Sequence, residues 1–455
     1  MENNGNFEET NQVSTNEKQE GFSKEPKQEK RKKTLKTLGT VGLAILIFVG
    51  GYLASALQYD EGLQDLRRIK QAIQNNYYEE ISDERFYDVL FSAINEDLLD
   101  PYSEYMTADE YMEMQTSATG QWSGIGVTFL TKDGLGNKQM LVRRVSGNSP
   151  AERAGVVEGD FVVGYGVDEN SIVESNDYDL FYAFLGERVT NEPFFVKIRR
   201  AGTQDFLLAL QKETFVESYV SYRTSTYSLG FSGTNALQPT EGNNPLTALD
   251  ADTAYVRLTQ FNGSASSEFK TVMERFKTDG KKHLVLDLRD NGGGYMNILQ
   301  EIASYFCKGG SGRTTIAVAE YKNGMKEIFS SQGSWFENYF SENSEIKVLA
   351  DAGTASASEC LLGCMIDYGA IDYEDICLIE EGGVARTYGK GIMQSTFPFG
   401  FGNTDAIKLT TARIVWPKSG NCIHGRGILP EDGAKTTQAS YEKDSEILSA
   451  LATLQ

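Results

Sequence analysis

Twenty-three consecutive residues, Thr37 to Tyr59, carry no charge, and their centre, Val41 to Val49, is strongly apolar. A run of that length can cross a hydrocarbon core of about 30 Å as a helix. Lys30-Arg31-Lys32-Lys33 stands just ahead of it, and basic residues there hold the amino terminus in the cytoplasm. The expectation is a disordered cytoplasmic tail over 1–37, rich in Glu, Asn and Gln, a transmembrane anchor over 38–58, and an extracytoplasmic remainder. A cleaved signal peptide is the rival, because Ala54-Ser55-Ala56 has the form of a cleavage site. The 36 residues ahead of the apolar run are long for a signal peptide and favour an uncleaved anchor.

The formal charge is −21; residues 1–37 hold eight Lys/Arg and seven Asp/Glu, so the acidic excess lies wholly beyond residue 37. So acidic a surface repels nucleic acid, which excludes it as a partner class. The five cysteines include no CxxC pair, and with only two histidines the chain offers no zinc-ligand spacing. They read as small buried hydrophobes, with one disulfide left open.

Apolar residues at Leu63, Leu66, Ile69 and Ile73, then at Phe86, Leu90, Ile94 and Leu98, predict a helical pair, and Ala108–Met114 a short third helix. Residues 59–119 form an N-terminal helical segment. From 120 to 212 the pattern changes to a small β-rich domain. Strands are expected at 124–129, 140–142, 161–167, 194–200 and 205–211, with helices after Ser149-Pro150 and near Tyr178–Leu185. Beyond a Gly/Ser/Asn-rich stretch at 229–251, read as a loop insertion, strands and helices alternate. The strands are 254–258, 284–288 and 346–349; the helices are 264–276, 297–306 and 358–368. Such alternation implies an α/β core with crossover helices over 213–440. Residues 441–455 read as a C-terminal tail.

HExxH is absent, and neither His283, at the head of an apolar strand, nor His424, in a glycine-flanked loop, is a convincing partner for a serine. Lysine is the known substitute base. It must be neutral to act, so burial away from anions has to lower its pKa from about 10.4. Lys390 suits this, since no residue from 387 to 394 is acidic and glycines on both sides let another segment approach. An exposed loop lysine is the plain alternative. Thr354-Ala355-Ser356-Ala357-Ser358-Glu359 supplies a serine at a strand-to-helix turn, where helix-start N–H groups can stabilise an oxyanion. Taken alone, helix capping is the stronger reading of such serines, and Ser356 and Ser358 could divide the two roles. Asp287 to Gly294 joins a strand end to a glycine run with free backbone N–H groups.

These segments, with Leu99-Asp100-Pro101-Tyr102-Ser103, Ser123-Gly124-Ile125-Gly126, Ser149-Pro150-Ala151, Tyr255 to Leu258, Gly389-Lys390-Gly391 and Thr410 to Arg413, occur in an order that resembles the carboxyl-terminal processing (tail-specific) proteases. The resemblance implies an α/β protease core with an inserted PDZ domain at 120–212. It implies Ser356 as nucleophile, Lys390 as general base, Gln394 orienting that lysine, and an oxyanion hole from the backbone of Ala357 and Gly294, less readily Gly293. Asp367 takes the place of an aspartate that supports catalysis in some members. Ser123, Gly124, Ile125 and Gly126 match the loop that receives a substrate's terminal carboxylate. Partners would be proteins with apolar carboxyl-terminal tails, with no metal or other cofactor, and self-association is left open.

Three departures stand out. Gly292 replaces the family's usual proline, the stretch from Asp367 to Lys390 is longer and more acidic, and 229–251 has the look of an insertion. The expectation is an active membrane-anchored serine endopeptidase; the alternative is an inactive PDZ receptor that binds protein carboxyl termini.

Overall fold

The computed structural model describes Phe48 and residues 60–455, apart from 134, 233–235, 240–243, 403 and 441–443. All of the expected anchor except Phe48 therefore lies outside the described residues, among which no helix is long and apolar enough to cross a membrane. The chain divides into two compact units, one ending at Leu90 and one beginning at Phe91.

The first unit holds α1 (Glu61–Asn76) and most of α2 (Asp83–Ala93), the expected helical pair. Asp60 starts α1 by accepting from Gly62 N–H, which satisfies one of the orphan donors of a helix start.

The second unit begins with β1 (Glu104–Met106) and α3 (Ala108–Ala118), the latter started by a reciprocal Thr107–Glu110 cap. The β-rich part follows. Strand β2 (Gln121–Gly124) stops at a glycine, and β3 (Val127–Lys132) begins after the Ile125-Gly126 turn, so the expected single strand over 124–129 is interrupted. Then come β4 (Lys138–Val145), α4 (Pro150–Arg153), β5 (Phe161–Gly166), β6 (Val173–Glu174), α5 (Tyr178–Gly186), β7 (Pro193–Arg199), β8 (Phe206–Gln211) and β9 (Glu213–Val216). The order β3-β4-β5-β7-β8 leaves β3 at a sheet edge. Alternate residues Phe194, Val196 and Ile198 point into a separate core with Met140, Val142 and Phe181, as period-two patterning demands.

The remaining chain builds an eight-stranded sheet and a smaller companion. It contains β10 (Val220–Arg223), β11 (Ser228–Phe231), β12 (Leu237–Pro239), β13 (Thr253–Leu258), α6 (Ala265–Thr278), β14 (His283–Asp287) and α7 (Met296–Ala303). There follow β15 (Thr315–Tyr321), β16 (Lys326–Ser330), β17 (Ile346–Ala350), α8 (Ala357–Asp367), β18 (Ile376–Glu380), β19 (Ile392–Pro398), β20 (Ala406–Val415), β21 (Lys435–Gln438) and α9 (Ser445–Thr453). The large sheet runs β12-β11-β10-β13-β14-β17-β18-β21, and its pairs from β13 to β21 are parallel. Helices α6, α7 and α8 supply the crossovers and share one core with it.

Two sequence expectations change. Residues 228–239 are not simply loop: β11 and β12 extend the large sheet. Nor is 441–455 merely a tail, since α9 buries Ile447 and Ala450 against Leu349 and Ile379. Both segments are short, and polar neighbours dilute their apolar pattern below what periodicity can detect.

Candidate active site

In an open parallel sheet, ligands bind beyond the carboxyl ends of the strands. Here the turns after β14, β17 and β18 carry Asp290 to Gly294, Ser356 and Lys390 respectively. Ser356, Ala357, Lys390, Gln394 and the three glycines 292–294 line one cleft of about 710 Å³. Its apolar wall includes Met296, Ile392, Ile414 and Trp416.

Ser356 has φ 57° and ψ −114°, outside the usual basins for a side-chain-bearing residue. Such a conformation costs about 1–3 kcal/mol and persists only where its surroundings hold it. The holder is Glu359, one turn into α8 and 1% exposed. Its Oε2 accepts from Ser356 N at 3.0 Å and Lys390 N at 2.8 Å; its Oε1 accepts from Gly389 N at 2.7 Å and Thr387 Oγ1 at 2.6 Å. Burial pushes the Glu359 carboxyl up from its ordinary range, and the four donors oppose that shift. A carboxylate accepting all four is the arrangement that satisfies them. One side chain thus ties the serine's backbone to that of the lysine. Sequence reading missed it, although a glutamate three residues into a serine-started helix is a visible capping signal.

Ser358 does not share the capping role. It is buried and donates to Asn291 O at 2.9 Å, while Ala355 N donates to the same oxygen at 2.9 Å. Asn291 also donates to Leu258 O at 2.8 Å and accepts from Gly293 N at 3.0 Å. The glycine turn is thereby pinned against the serine turn. At Gly293, φ is 99° and a Cβ would stand 2.7 Å from Ser356 Cβ; at Gly294, φ is 142° and a Cβ would meet Phe261 O at 2.4 Å. Only glycine fits either place. Among the described residues the N–H groups of Gly294 and Ala357 donate no hydrogen bond, whereas that of Gly293 is engaged by Asn291.

Lys390 sits between Gly389 and Gly391, and a Cβ on either would lie 2.8 Å from the backbone nitrogen of Gly427 or His424. The close approach foreseen from these glycines is made by the Ile423–Gly427 loop. Burial pushes the Lys390 ammonium below its usual range and the Lys408 charge adds to this, against Asp100 and Glu104. The ammonium lies 5.2 Å from the centre of the Tyr102 ring, and Gln394 donates its side-chain amide to Tyr102 O. Gln394 therefore holds the aromatic neighbour of the lysine. The acidic stretch before Lys390 points elsewhere: Asp375 pairs with Lys347 and Glu381 with Arg143.

Asp367 ends α8, about 16 Å along the helix from Ser356. It accepts from Lys418 N at 2.8 Å and Ser419 N at 2.9 Å, a turn-fixing role away from the cleft. Ser123 and Gly124 pair with Thr214 and Glu213 of β9, and the Ile125 and Gly126 carbonyls accept from Ala151 and Ser146. Among the described residues the Ile125 and Gly126 N–H groups donate to nothing. Four cysteines are buried and Cys422 is exposed; all are free.

The profile of peptidase family S41 matches residues 252–432, the stretch that carries the cleft. Over that stretch the chain is similar to peptidase family S41. The S41 domain contains the turns after β14, β17 and β18 together. A "Probable CtpA-like serine protease" of Staphylococcus epidermidis is 26% identical over 374 residues, covering 82% of this chain and 66% of that relative. The chain thus spans just under two thirds of that relative's length. The "Carboxy-terminal processing protease CtpA" of Bacillus subtilis is 25% identical over 393 residues, covering 85% of this chain and 73% of its own. A solved structure described as an S41 protease from Bacteroides fragilis matches with a TM-score of 0.51 at 13% identity, covering 83% and 90% of the two chains. That likeness concerns the fold alone.

Proposed function

We propose that this chain is a membrane-anchored serine endopeptidase that cleaves extracytoplasmic proteins selected by their carboxyl-terminal tails. The observation that carries this reading is the meeting, in one cleft, of a conformationally strained serine, a half-buried lysine with depressed basicity and two unengaged backbone donors.

The neutral Lys390 amine removes the Ser356 hydroxyl proton as Ser356 Oγ attacks the peptide carbonyl. The oxyanion is received by Ala357 N–H and Gly294 N–H, and collapse expels the amine, which takes the proton from Lys390. Water, deprotonated by the same lysine, then attacks the acyl carbonyl, and Lys390 returns that proton to Ser356 Oγ as the acid leaves. Oxyanion donors of this kind are each worth on the order of 10²–10³ in rate. Gln394 acts through Tyr102, whose ring flanks the ammonium.

Tail recognition is assigned to a PDZ-like domain over 120–212. Edge strand β3 can accept an added strand, and the unengaged N–H groups of Ile125 and Gly126 can receive a terminal carboxylate. Phe129 packs on Tyr178 and Phe181 of α5, giving the groove an apolar floor suited to apolar tails. The charge-free run from Thr37 to Tyr59 supports the anchor.

The test incubates the full chain, and its Ser356→Ala form, with an unfolded protein ending in an apolar tail and with its tail-amidated counterpart. Mass spectrometry should show cuts by the wild type alone, faster with the free carboxylate. Equal tail binding by both forms with no cut by either would reject the protease reading.

A further inference from the structure

The glycine turn after β14 is short of stiffness. Asn291 is followed by three glycines, Gly292 to Gly294. Proline would fix one backbone angle, whereas glycine leaves it free. Asp290, which opens the turn, is itself held at φ 56°. Yet the reading above requires Gly294 N–H to be fixed beside Ala357 N–H.

The restraint comes from outside the S41 domain. Arg143, on β4 of the β-rich domain, donates to Asp290 Oδ1 from Nε at 3.0 Å and from Nη2 at 2.9 Å. Its Nη1 donates to Glu381 Oε2 at 2.7 Å, and Nη2 lies 3.8 Å from Asp351 Oδ2. Asp351 in turn accepts the Asp290 N–H at 2.9 Å and the Gly353 N–H at 2.9 Å. Asp290 belongs to the glycine turn, Asp351 ends the strand that leads to Ser356, and Glu381 follows the strand that leads to Lys390. One guanidinium therefore gathers the roots of all three catalytic turns. Its planar fork reaches several oxygens in fixed directions, which a lysine ammonium cannot reproduce.

We propose that Arg143 is a positioning residue for the oxyanion turn, an ion-paired clamp supplied by the neighbouring domain that does the work a proline at 292 would do. The proposal rests on the protease reading for its kinetic consequence but not for its structural one. Arg143 does not line the cleft and acts through Asp290. Because the oxyanion donors matter most in the transition state, loosening them lowers kcat and leaves KM nearly unchanged.

The experiment compares the full chain with Arg143→Gln, Arg143→Lys and the double variant Arg143→Gln/Gly292→Pro. It reads kcat and KM on an unfolded protein substrate, tail-peptide affinity, and amide hydrogen exchange at Asn291 and Gly293. Arg143→Gln should lower kcat on the order of tenfold, a fraction of the loss of a whole oxyanion donor. KM and tail affinity should hold, and exchange at both amides should quicken. Arg143→Lys should recover only part of the rate, and Gly292→Pro should restore some of the exchange protection and rate lost in Arg143→Gln. A rise in KM or loss of tail affinity with kcat intact would overturn the proposal, leaving Arg143 as a domain-docking residue only. Unchanged exchange at Asn291 and Gly293 would overturn it whatever the kinetics. If the wild type cleaves nothing while exchange still quickens in Arg143→Gln, the protease reading fails and the clamp stands.

Discussion

Glu359 Oε2 lies 2.8 Å from the backbone nitrogen of Lys390, so an acid on the serine's helix holds the lysine's loop through its main chain. The contact engages the main chain of Lys390: among the described residues its ammonium forms no ion pair, and the charges that act on it are those of Lys408, Asp100 and Glu104.

Replacing Glu359 by Gln tests this. An amide presents a donor to one of the four donors that Glu359 now satisfies, and a buried unsatisfied pair costs about 1–3 kcal/mol. Glu359→Gln is expected to fold, to unfold at a lower temperature, and to react with a fluorophosphonate probe at least tenfold more slowly, as a misplaced nucleophile would. Labelling at the wild-type rate would contradict the role assigned to it.

Lys408 should set the pH range of activity. Its charge lowers the Lys390 pKa, so in Lys408→Met the ammonium of Lys390 holds its proton to higher pH. Glu104, freed from its ion pair with Lys408, pushes in the same direction. The acidic limb of the kcat/KM profile is expected to move to higher pH, with activity at neutral pH falling and recovering in alkali. A limb that stays in place would show that Lys408 does not act on the base.

The three glycines should differ sharply. A Cβ at Gly293 collides with Ser356 and with the backbone at Ala357, while one at Gly292 meets nothing within 4 Å. Gly293→Ala is expected to abolish probe labelling, and Gly292→Ala to retain most of it. Equal behaviour of the two would mean the turn is not packed against the serine as described.

Asp351 carries a stability signature. Burial and the nearby Asp290 charge push its carboxyl up to about 6. A carboxyl raised on folding adds stability below its unfolded pKa near 3.9, and that contribution is lost as pH rises through about 6. Asp351→Asn should therefore flatten the pH dependence of the unfolding midpoint between pH 4 and 7, and gain about 1–3 kcal/mol on the wild type as pH rises. Parallel curves for the two proteins would reject the assignment.

The alternation of strands and helices, the short helix from Ala108, the helix start at Ser149-Pro150, and the strand-to-helix serine were legible in the sequence because each depends on neighbours within a few residues. Ser356, Lys390 and the glycine turn could be named for the same reason, as local motifs carrying a family resemblance. Their meeting in one cleft follows from parallel strand order, which brings residues 290, 356 and 390 to one end of the sheet. The companion sheet of β1, β15, β16, β19 and β20 was not legible, since β1 pairs with β20 across some three hundred residues. Nor was the partner of a charge. Glu359 reads as a helix-start acid, Arg143 as one of two adjacent arginines after a short apolar run, and Asp367, by resemblance, as an aspartate that supports catalysis. Side-chain chemistry and local spacing were fixed by the sequence itself. Which carboxylate meets which guanidinium, and which backbone donors are left unengaged, depended on contacts between segments far apart in the chain, and only packing decided those.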